Sequence, residues 1–339
     1  MLISVVVPTR NRPRDVEKLL ASIKQQTRLP DELIVVDQSP NDETHVVFVD
    51  ATDPRLRDRS TYVHSSSIRG VSTARNFGIA RAKGDVVVFL DDDVVLTPDC
   101  MEQMEAAFTA HPDYAGIGGV ELQMEHVAMS YILYYDLFFL GPFRDPKYRI
   151  SRNWRNLEGI QRATSLKTCL AGFRRDFLAR HRFDERWRSA LLEDVDLCWQ
   201  VRGKEKFGVW PRASVWHSIS EVRTTGGEGY RATGSAWTFF MRKHLRREWP
   251  LLPLYAWLCV GVLINALRRS AASRSFAPTA GLLRGWMSWF RPANALPFID
   301  MAADPFPDRS AAARMSEPGC QACESASDQV ARAGATSAT

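Results

Sequence analysis

Short unbroken apolar runs, separated by amphipathic stretches of helical spacing, dominate roughly the first 220 residues. Leu2 to Val7 reads as a strand, closed by Pro8-Thr9-Arg10-Asn11-Arg12-Pro13. From Arg14 to Gln26 the apolar positions Val16, Leu19, Leu20 and Ile23 recur at helical spacing. Leu33 to Val36 is a second strand ending in Asp37-Gln38-Ser39, a helix is expected after Asn41 and Asp42, and Thr61 to His64 is a third short strand. Gly70 to Ala82 reads as a helix, Val86 to Leu90 as a strand, Pro98 to Ala110 as a helix, and Ala115 to Leu122 as a returning strand. Apolar runs rich in β-branched residues and lacking alternation are strands buried on both faces. Their alternation with helices predicts an α/β fold: a twisted, mostly parallel sheet flanked by helices.

The pattern loosens between Gln123 and Thr164, where aromatics crowd Tyr131 to Phe143 and a basic stretch runs from Arg144 to Arg155. An amphipathic helix with a surface loop and an insertion shaping an acceptor site are both open readings there. Regular structure resumes at Ser165. Glu193 and Asp194 open a helix with Val195, Cys198 and Trp199 on one face, as acids in a first turn complement the helix dipole. Gly208 to Pro211 and Ala213 to His217 read as two short strands, and Thr224-Thr-Gly-Gly-Glu-Gly229 as a mobile loop.

Chemistry concentrates where the central strand ends. Asp91, Asp92 and Asp93 follow Val86 to Leu90 directly, at the carboxyl end of a strand, where open α/β sheets bind ligands. Three adjacent carboxylates repel one another unless a positive charge joins them, and a hard divalent cation with phosphate oxygens is the usual solution. The competing reading is a solvated acidic turn leading into the helix start at Thr97-Pro98-Asp99.

Composition narrows the classes. A chain of 339 residues, 45% hydrophobic, can bury one large core or two modest ones, and its net charge of +5 is too small to argue for nucleic acid. Six scattered cysteines, mostly in apolar surroundings, look like reduced thiols, not a disulfide framework. Only Cys320-Gln-Ala-Cys323 has metal-ligand spacing, and it lacks a second pair. The strand at the N-terminus has no basic segment and longer apolar stretch before it, so no signal peptide is expected and the catalytic part is expected in the cytoplasm.

Four separated stretches together resemble the inverting glycosyltransferases of family 2, which have the GT-A fold. They are Val5-Val-Val-Pro-Thr-Arg-Asn11, Glu32-Leu-Ile-Val-Val-Asp-Gln-Ser39, Gly70-Val-Ser-Thr-Ala-Arg-Asn76 running on to Asp91-Asp-Asp93, and Glu193-Asp194. Gln38 stands where the family often has a second acid. The resemblance implies a metal-dependent donor site for a nucleoside diphosphate sugar, with Mg or Mn. Asp93 would ligate the metal, with Asp91 as ligand or ribose contact and His217 as a further ligand; an ordinary strand-end histidine is the other reading of His217. Pro8, Thr9, Arg10, Asp37, Arg75, Asp91 and Asp92 would hold the nucleotide. Asp194 would be the general base for a single in-line displacement and Glu193 its orienting partner or an acceptor contact. The implied organisation is a donor half over 1–122 and an acceptor-binding, catalytic half over 123–230.

Beyond these, residues 231–299 read as an apolar and amphipathic helical region and 300–339 as a disordered tail. Trp237 to Arg247 is an aromatic, then basic, helix. Leu251 to Leu267 is apolar but shorter than the ~20 residues of a spanning helix. Arg242, Lys243, Arg246 and Arg247 precede it and Arg268 and Arg269 follow. Basic residues on both sides predict a helix lying on the anionic inner leaflet, with spanning and internal packing as alternatives. The reading is a cytoplasmic, peripheral membrane enzyme acting on a lipid-linked or polysaccharide acceptor. Its rivals are a nucleotidyltransferase, which would want a glycine- and lysine-rich phosphate loop after the first strand, and a non-catalytic nucleotide-sugar-binding protein.

Overall fold

The computed structural model describes residues 1–187, 191–217, 226–245 and 248–290. In chain order its elements are β1 (Ile3–Thr9), α1 (Pro13–Lys24), β2 (Glu32–Asp37), α2 (Glu43–Ala51), β3 (Ser60–His64), α3 (Val71–Arg81), β4 (Val86–Leu90), β5 (Val94–Leu96), α4 (Cys100–Ala110), β6 (Gly116–Glu121), α5 (Met129–Phe138), α6 (Lys147–Asn153), β7 (Gln161–Ala163), β8 (Leu170–Arg174), α7 (Arg175–Arg180), α8 (Glu193–Trp199), β9 (Phe207–His217), α9 (Gly226–Phe240), α10 (Leu252–Ala272) and α11 (Ala277–Trp286).

The strands form one sheet in the order β3-β2-β1-β4-β8-β6-β9-β5, with β7 also on β9. The first four are mutually parallel, which brings the ends of β1, β2, β3 and β4 to one edge. β8 then runs antiparallel between β4 and β6, so the sheet is mixed beyond that point. Alternate residues of the same strands feed two different cores. Val5, Val7, Val86, Val88 and Leu90 pack with α1 and α4, while Val6, Val87 and Phe89 pack with Phe173, Phe177, Phe183 and Leu197. Burial on both faces explains why these strands show no polar alternation.

Two expected strands prove to be one. β9 runs through Pro211 without a break, and its pairing with β6 shifts register between Gly118 and Val120. Proline has no N–H for the ladder, so the strand stays continuous at the cost of an irregularity. Gly119 sits at that irregularity, where a Cβ would lie 2.5 Å from the Ala213 carbonyl oxygen.

The third core belongs to the C-terminal helices and joins Trp237, Phe240, Tyr255 and Leu258 to Trp187, Trp199 and Phe143. Gly226 to Gly229, expected as loop, form the first turn of α9 instead. Gly227 serves packing: a Cβ on it would lie 2.9 Å from the Ala277 carbonyl oxygen, and a Cβ on the facing Gly281 of α11 would stand 1.9 Å from the Gly227 carbonyl oxygen. The apolar helix is also longer than Leu251 to Leu267, because α10 continues through Arg268 and Arg269 to Ala272. With its preceding turn it is, among the described residues, the one helix long and apolar enough to cross a membrane. The aromatic, then basic, helix ends at Phe240 in a π-type turn, Met241–Leu245, which directs Lys243 inward. Arg246, Arg247, the tail and its Cys320 and Cys323 lie outside the described residues, as do Thr224 and Thr225. Cys100, Cys169, Cys198 and Cys259 are free thiols.

Candidate functional site

The parallel strands end in polar residues that face one another. Register pairs Thr9 with Asp37 and Asp37 with His64. Asp37 is fully buried; its Oδ1 accepts from the Ser39 N–H at 2.8 Å and from the Ser39 hydroxyl, and its Oδ2 from the Tyr62 hydroxyl. Pro8 is buried within β1, whereas Arg10 is half-buried just past its end. Asn11 follows with a positive φ of 56° and donates its N–H to the Ser39 hydroxyl at 2.8 Å, which ties the first loop to the second.

The three aspartates point in different directions. Asp92 turns inward, accepting from the Thr9 hydroxyl and Arg12 Nη1 at 2.8 Å each. Burial pushes its carboxyl up to about 7, against the pull of Arg12. Asp93 also meets Arg12, at 3.3 Å, and its other oxygen lies 3.0 Å from His217 Nε2. Asp91 keeps the most solvent access of the three, and its Oδ1 accepts from Arg75 Nη2 at 2.9 Å. Arg12 was not singled out among the sequence candidates, although it lies in the loop that closes the first strand.

Arg75 is 1% exposed. Its Nη1 donates to Glu193 Oε1 at 2.7 Å, so the guanidinium bridges the first acid cluster to the second, and its Nε–H has no acceptor among the described residues. The second cluster starts from a strained turn: Leu192, the N-cap of α8, has φ 66°, a left-handed conformation that costs a branched residue on the order of 1–3 kcal/mol. Glu193 is buried against Arg75, while Asp194 is less covered and accepts the Val195 N–H at 2.7 Å. Burial, reinforced by the neighbouring Asp194 and opposed by Arg75, pushes Glu193 up to about 7. Asp194 is also pushed upward by burial, with Lys147 opposing.

The buried face of α8 differs from the expected one. It carries Glu193, Asp196, Leu197, Cys198 and Trp199, with Val195 only half-buried. Asp196 is completely buried, bonded to Lys243 at 2.8 Å and His244 at 2.7 Å. Lys243 also holds Asp184 at 2.7 Å. An acid three positions into a helix otherwise looks like a first-turn residue, and only the arrival of the distant π-type turn shows its second role.

On the far side, β5 pairs antiparallel with β9, Val94 opposite His217, which carries the imidazole next to Asp93. His217 Nδ1 lies 3.2 Å from Glu121 Oε2. Burial alone would lower the imidazole pKa, but its hydrogen bonds to Asp93, Cys169 and Glu121 raise it to about 12. Glu121 was missed by the sequence reading, yet it closes an apolar strand as Asp37 and Asp91 do. Asp91, Asp93 and His217 offer donor atoms within 4.8 Å of one another. Two carboxylates and an imidazole suit a divalent ion of the Mg or Mn type, so the donor set fits the expected metal.

The glycosyl transferase family 2 pattern matches residues 4–176, half of the chain. The chain belongs to glycosyl transferase family 2. It is 37% identical over 117 residues to an uncharacterized glycosyltransferase of Bacillus subtilis (strain 168), covering 33% of this chain and 42% of that one. It is 34% identical over 93 residues to the GalNAc(5)-diNAcBac-PP-undecaprenol beta-1,3-glucosyltransferase of Campylobacter jejuni, covering 27% and 29%. These matches span less than half the length of either relative. Among solved structures, a mannosyltransferase of Pyrobaculum calidifontis in complex with GDP-Man and Mn2+ superposes with a TM-score of 0.53 at 17% identity, over 85% of this chain and 86% of that one. The family 2 chain thus has the GT-A fold that the resemblance implied. All four stretches that carried the resemblance meet at one edge of the sheet.

Proposed function

We propose that this family 2 protein is a metal-dependent inverting glycosyltransferase that moves a sugar from a nucleoside diphosphate sugar to a hydroxyl of a lipid-linked or polysaccharide acceptor. The observation that carries the reading is Arg75 joining Asp91, at the end of β4, to Glu193, the chain neighbour of Asp194. One cluster suits a charged leaving group and the other a proton acceptor.

Asp93, Asp91 and His217 would hold Mg or Mn. The bound ion would neutralise charge on the departing diphosphate as the glycosidic bond breaks. Asp37 at the end of β2, with Pro8, Thr9 and Arg10 at the end of β1, frames the pocket for base and ribose. Asp92 and Arg75 serve the donor site from behind: Asp92 fixes Thr9 and Arg12, and Arg75 fixes Asp91. Asp194 takes the proton of the acceptor hydroxyl. The acceptor oxygen bonds to the anomeric carbon from one face while the bond to the diphosphate breaks on the other, and the electron pair leaves with the nucleoside diphosphate. Glu193, locked by Arg75, fixes the first turn of α8 and so orients its chain neighbour Asp194.

A lipid-linked acceptor is supported by the name of the Campylobacter relative and by an exposed apolar face. Trp257, Val260, Ile264 and Leu267 of α10 are exposed, beside Leu133 and Leu137 of α5. The two helices are bonded through Tyr134 to the Gly261 carbonyl at 2.6 Å and Trp257 to the Leu137 carbonyl at 2.8 Å. With Arg268 and Arg269 exposed at the end of that face, the chemistry fits the anionic cytoplasmic membrane surface.

Calorimetric titration of the purified protein with a panel of nucleoside diphosphates, with and without Mn, tests the donor site. Metal-dependent binding of one nucleotide is expected, followed by sugar transfer that Asp194→Asn abolishes while nucleotide affinity holds. Unchanged transfer by that variant would remove Asp194 as base, and turnover without bound metal would remove the metal reading. Binding without turnover on any acceptor would favour the non-catalytic alternative.

A further inference from the structure

We propose that Glu121 is a positioning residue that orients the imidazole of His217 for metal binding, with Lys167 and Gln123 holding Glu121 and His217 in place. The inference rests on the reading of His217 as a metal ligand.

The geometry begins in the irregular pairing of β6 with β9. Gly118 lies opposite Val209, but Val120 lies opposite Ser214, so β6 advances two residues while β9 advances five. Had the register of Gly116 to Gly118 continued, Glu121 would face Arg212, five positions before His217. The shift places it opposite Val215 instead. Residues two apart on a strand share a face, so Glu121 comes to lie beside the His217 ring. The extra length of β9 around Pro211 is what aligns the two.

Once there, Glu121 has no freedom to turn away. It is 6% exposed, its Oε1 bonds the Lys167 ammonium, and its Oε2 faces His217 Nδ1 at 3.2 Å. Gln123 completes the clamp. Its Nε2 donates to Glu121 Oε2 at 3.3 Å, and its Oε1 accepts the His217 peptide N–H at 3.1 Å. Ring and backbone of His217 are therefore both held from β6 and the turn after it.

The consequence is chemical. An imidazole binds a cation through one nitrogen only when the other keeps its proton, and a carboxylate bonded to that second nitrogen fixes both tautomer and ring plane. Glu121 on Nδ1 leaves Nε2 directed at Asp93, 3.0 Å away. The opposite arrangement also exists on paper, because Glu121, Cys169 and His217 offer donor atoms within 4.8 Å of one another. Lys167 argues against it, since its ammonium already neutralises Glu121, and Cys169 is a buried thiol whose pKa burial raises to about 11.

The test is Mn binding to the full chain, titrated calorimetrically without nucleotide, for wild type, His217→Ala, Glu121→Ala, Glu121→Gln and Cys169→Ala, with thermal melting as the control for folding. Removing an outer partner of a ligating histidine typically weakens metal binding about 10–100-fold. Glu121→Ala is expected to fall in that range, and so is His217→Ala. Glu121→Gln keeps one oxygen for the Nδ1 proton but turns its amide NH2 toward the Lys167 ammonium, so its Mn affinity should lie between those of wild type and Glu121→Ala. Cys169→Ala should bind Mn as wild type does. If His217→Ala leaves affinity unchanged, the ligand reading of His217 fails and this inference with it. If His217→Ala weakens binding but Glu121→Ala does not, the ligand stands and the positioning role is overturned. Weakening by Cys169→Ala equal to that of Glu121→Ala would place the cation on the thiol side and overturn it as well.

Discussion

Arg75 and Glu193 are 118 residues apart in the chain and meet in a buried ion pair, Nη1 to Oε1 at 2.7 Å. The same guanidinium holds Asp91 at 2.9 Å. α3 therefore does more than cover the sheet: it carries the cation that joins the end of β4 to the start of α8.

Removing that cation should be costly. Arg75→Ala would leave Glu193 buried and unpaired, a change that typically costs about 3–5 kcal/mol. A lowered denaturation midpoint is expected, with loss of transfer. Arg75→Lys restores charge but cannot fork onto two acids in one plane, so it should recover part of the stability and little of the activity. An Arg75→Ala protein as stable as wild type would show that the pair contributes nothing net.

The acid pair on α8 also sets a pH dependence. Glu193 is raised from the ordinary 4.5 to about 7, chiefly by burial and then by Asp194, and Asp194 is raised as well. The proton acceptor, Asp194, works only when unprotonated, and burial raises its pKa, so transfer should rise with pH. Stability should move the other way. In the window between 4.5 and about 7 the folded protein holds more protons than the unfolded chain, so unfolding becomes easier as pH increases. Rates and melting temperatures measured across that window should cross. A flat rate profile would remove the pair from the rate-limiting proton transfer.

Asp196 ties the same helix to the C-terminal region. Burial would raise its pKa, but the bonds from His244 and Lys243 lower it below the usual carboxylate range. Asp196→Asn would leave a partly uncompensated lysine in the interior, and about 3–5 kcal/mol of destabilisation is expected. Because α8 also carries Asp194, kcat should fall while donor affinity stays near wild type. Lost donor affinity with kcat retained would contradict this division.

Much of this arrangement could be read from short-range pattern. The strands of the donor half announce themselves by unbroken apolar runs, and Asp37 and Asp91 to Asp93 by their place at strand ends. What escaped the pattern depends on long-range register. Glu121 obeys the same strand-end rule, but its value comes from a shift in β9 that no local signal encodes. Pro211 suggested a strand break, whereas tertiary pairing carries the strand through it. Gly226 to Gly229 had the composition of a loop, and the approach of α11 accounts for glycine at position 227 inside a helix. Lys243 counted among the basic residues expected to flank a membrane-surface helix, whereas the π-type turn delivers it to Asp184 and Asp196.

Asp92 and Asp93 offer the sharpest separation of roles between neighbours. Asp92 faces inward, with Thr9 and Arg12 at 2.8 Å. Asp93 faces His217 at 3.0 Å and belongs to the donor set that fits a cation. Asp93→Asn should abolish the gain in nucleoside diphosphate affinity that Mn provides, with metal-free affinity little changed. Asp92→Asn keeps a hydrogen bond to Thr9 but loses the charge that holds Arg12, so it should loosen the loop after β1. Its expected signature is weaker nucleotide binding with and without Mn, in similar proportion. Calorimetry at matched nucleotide and varied Mn separates the two, because only a ligand changes the metal dependence. If Asp92→Asn removes the metal dependence and Asp93→Asn does not, the cation sits on the opposite side of this turn.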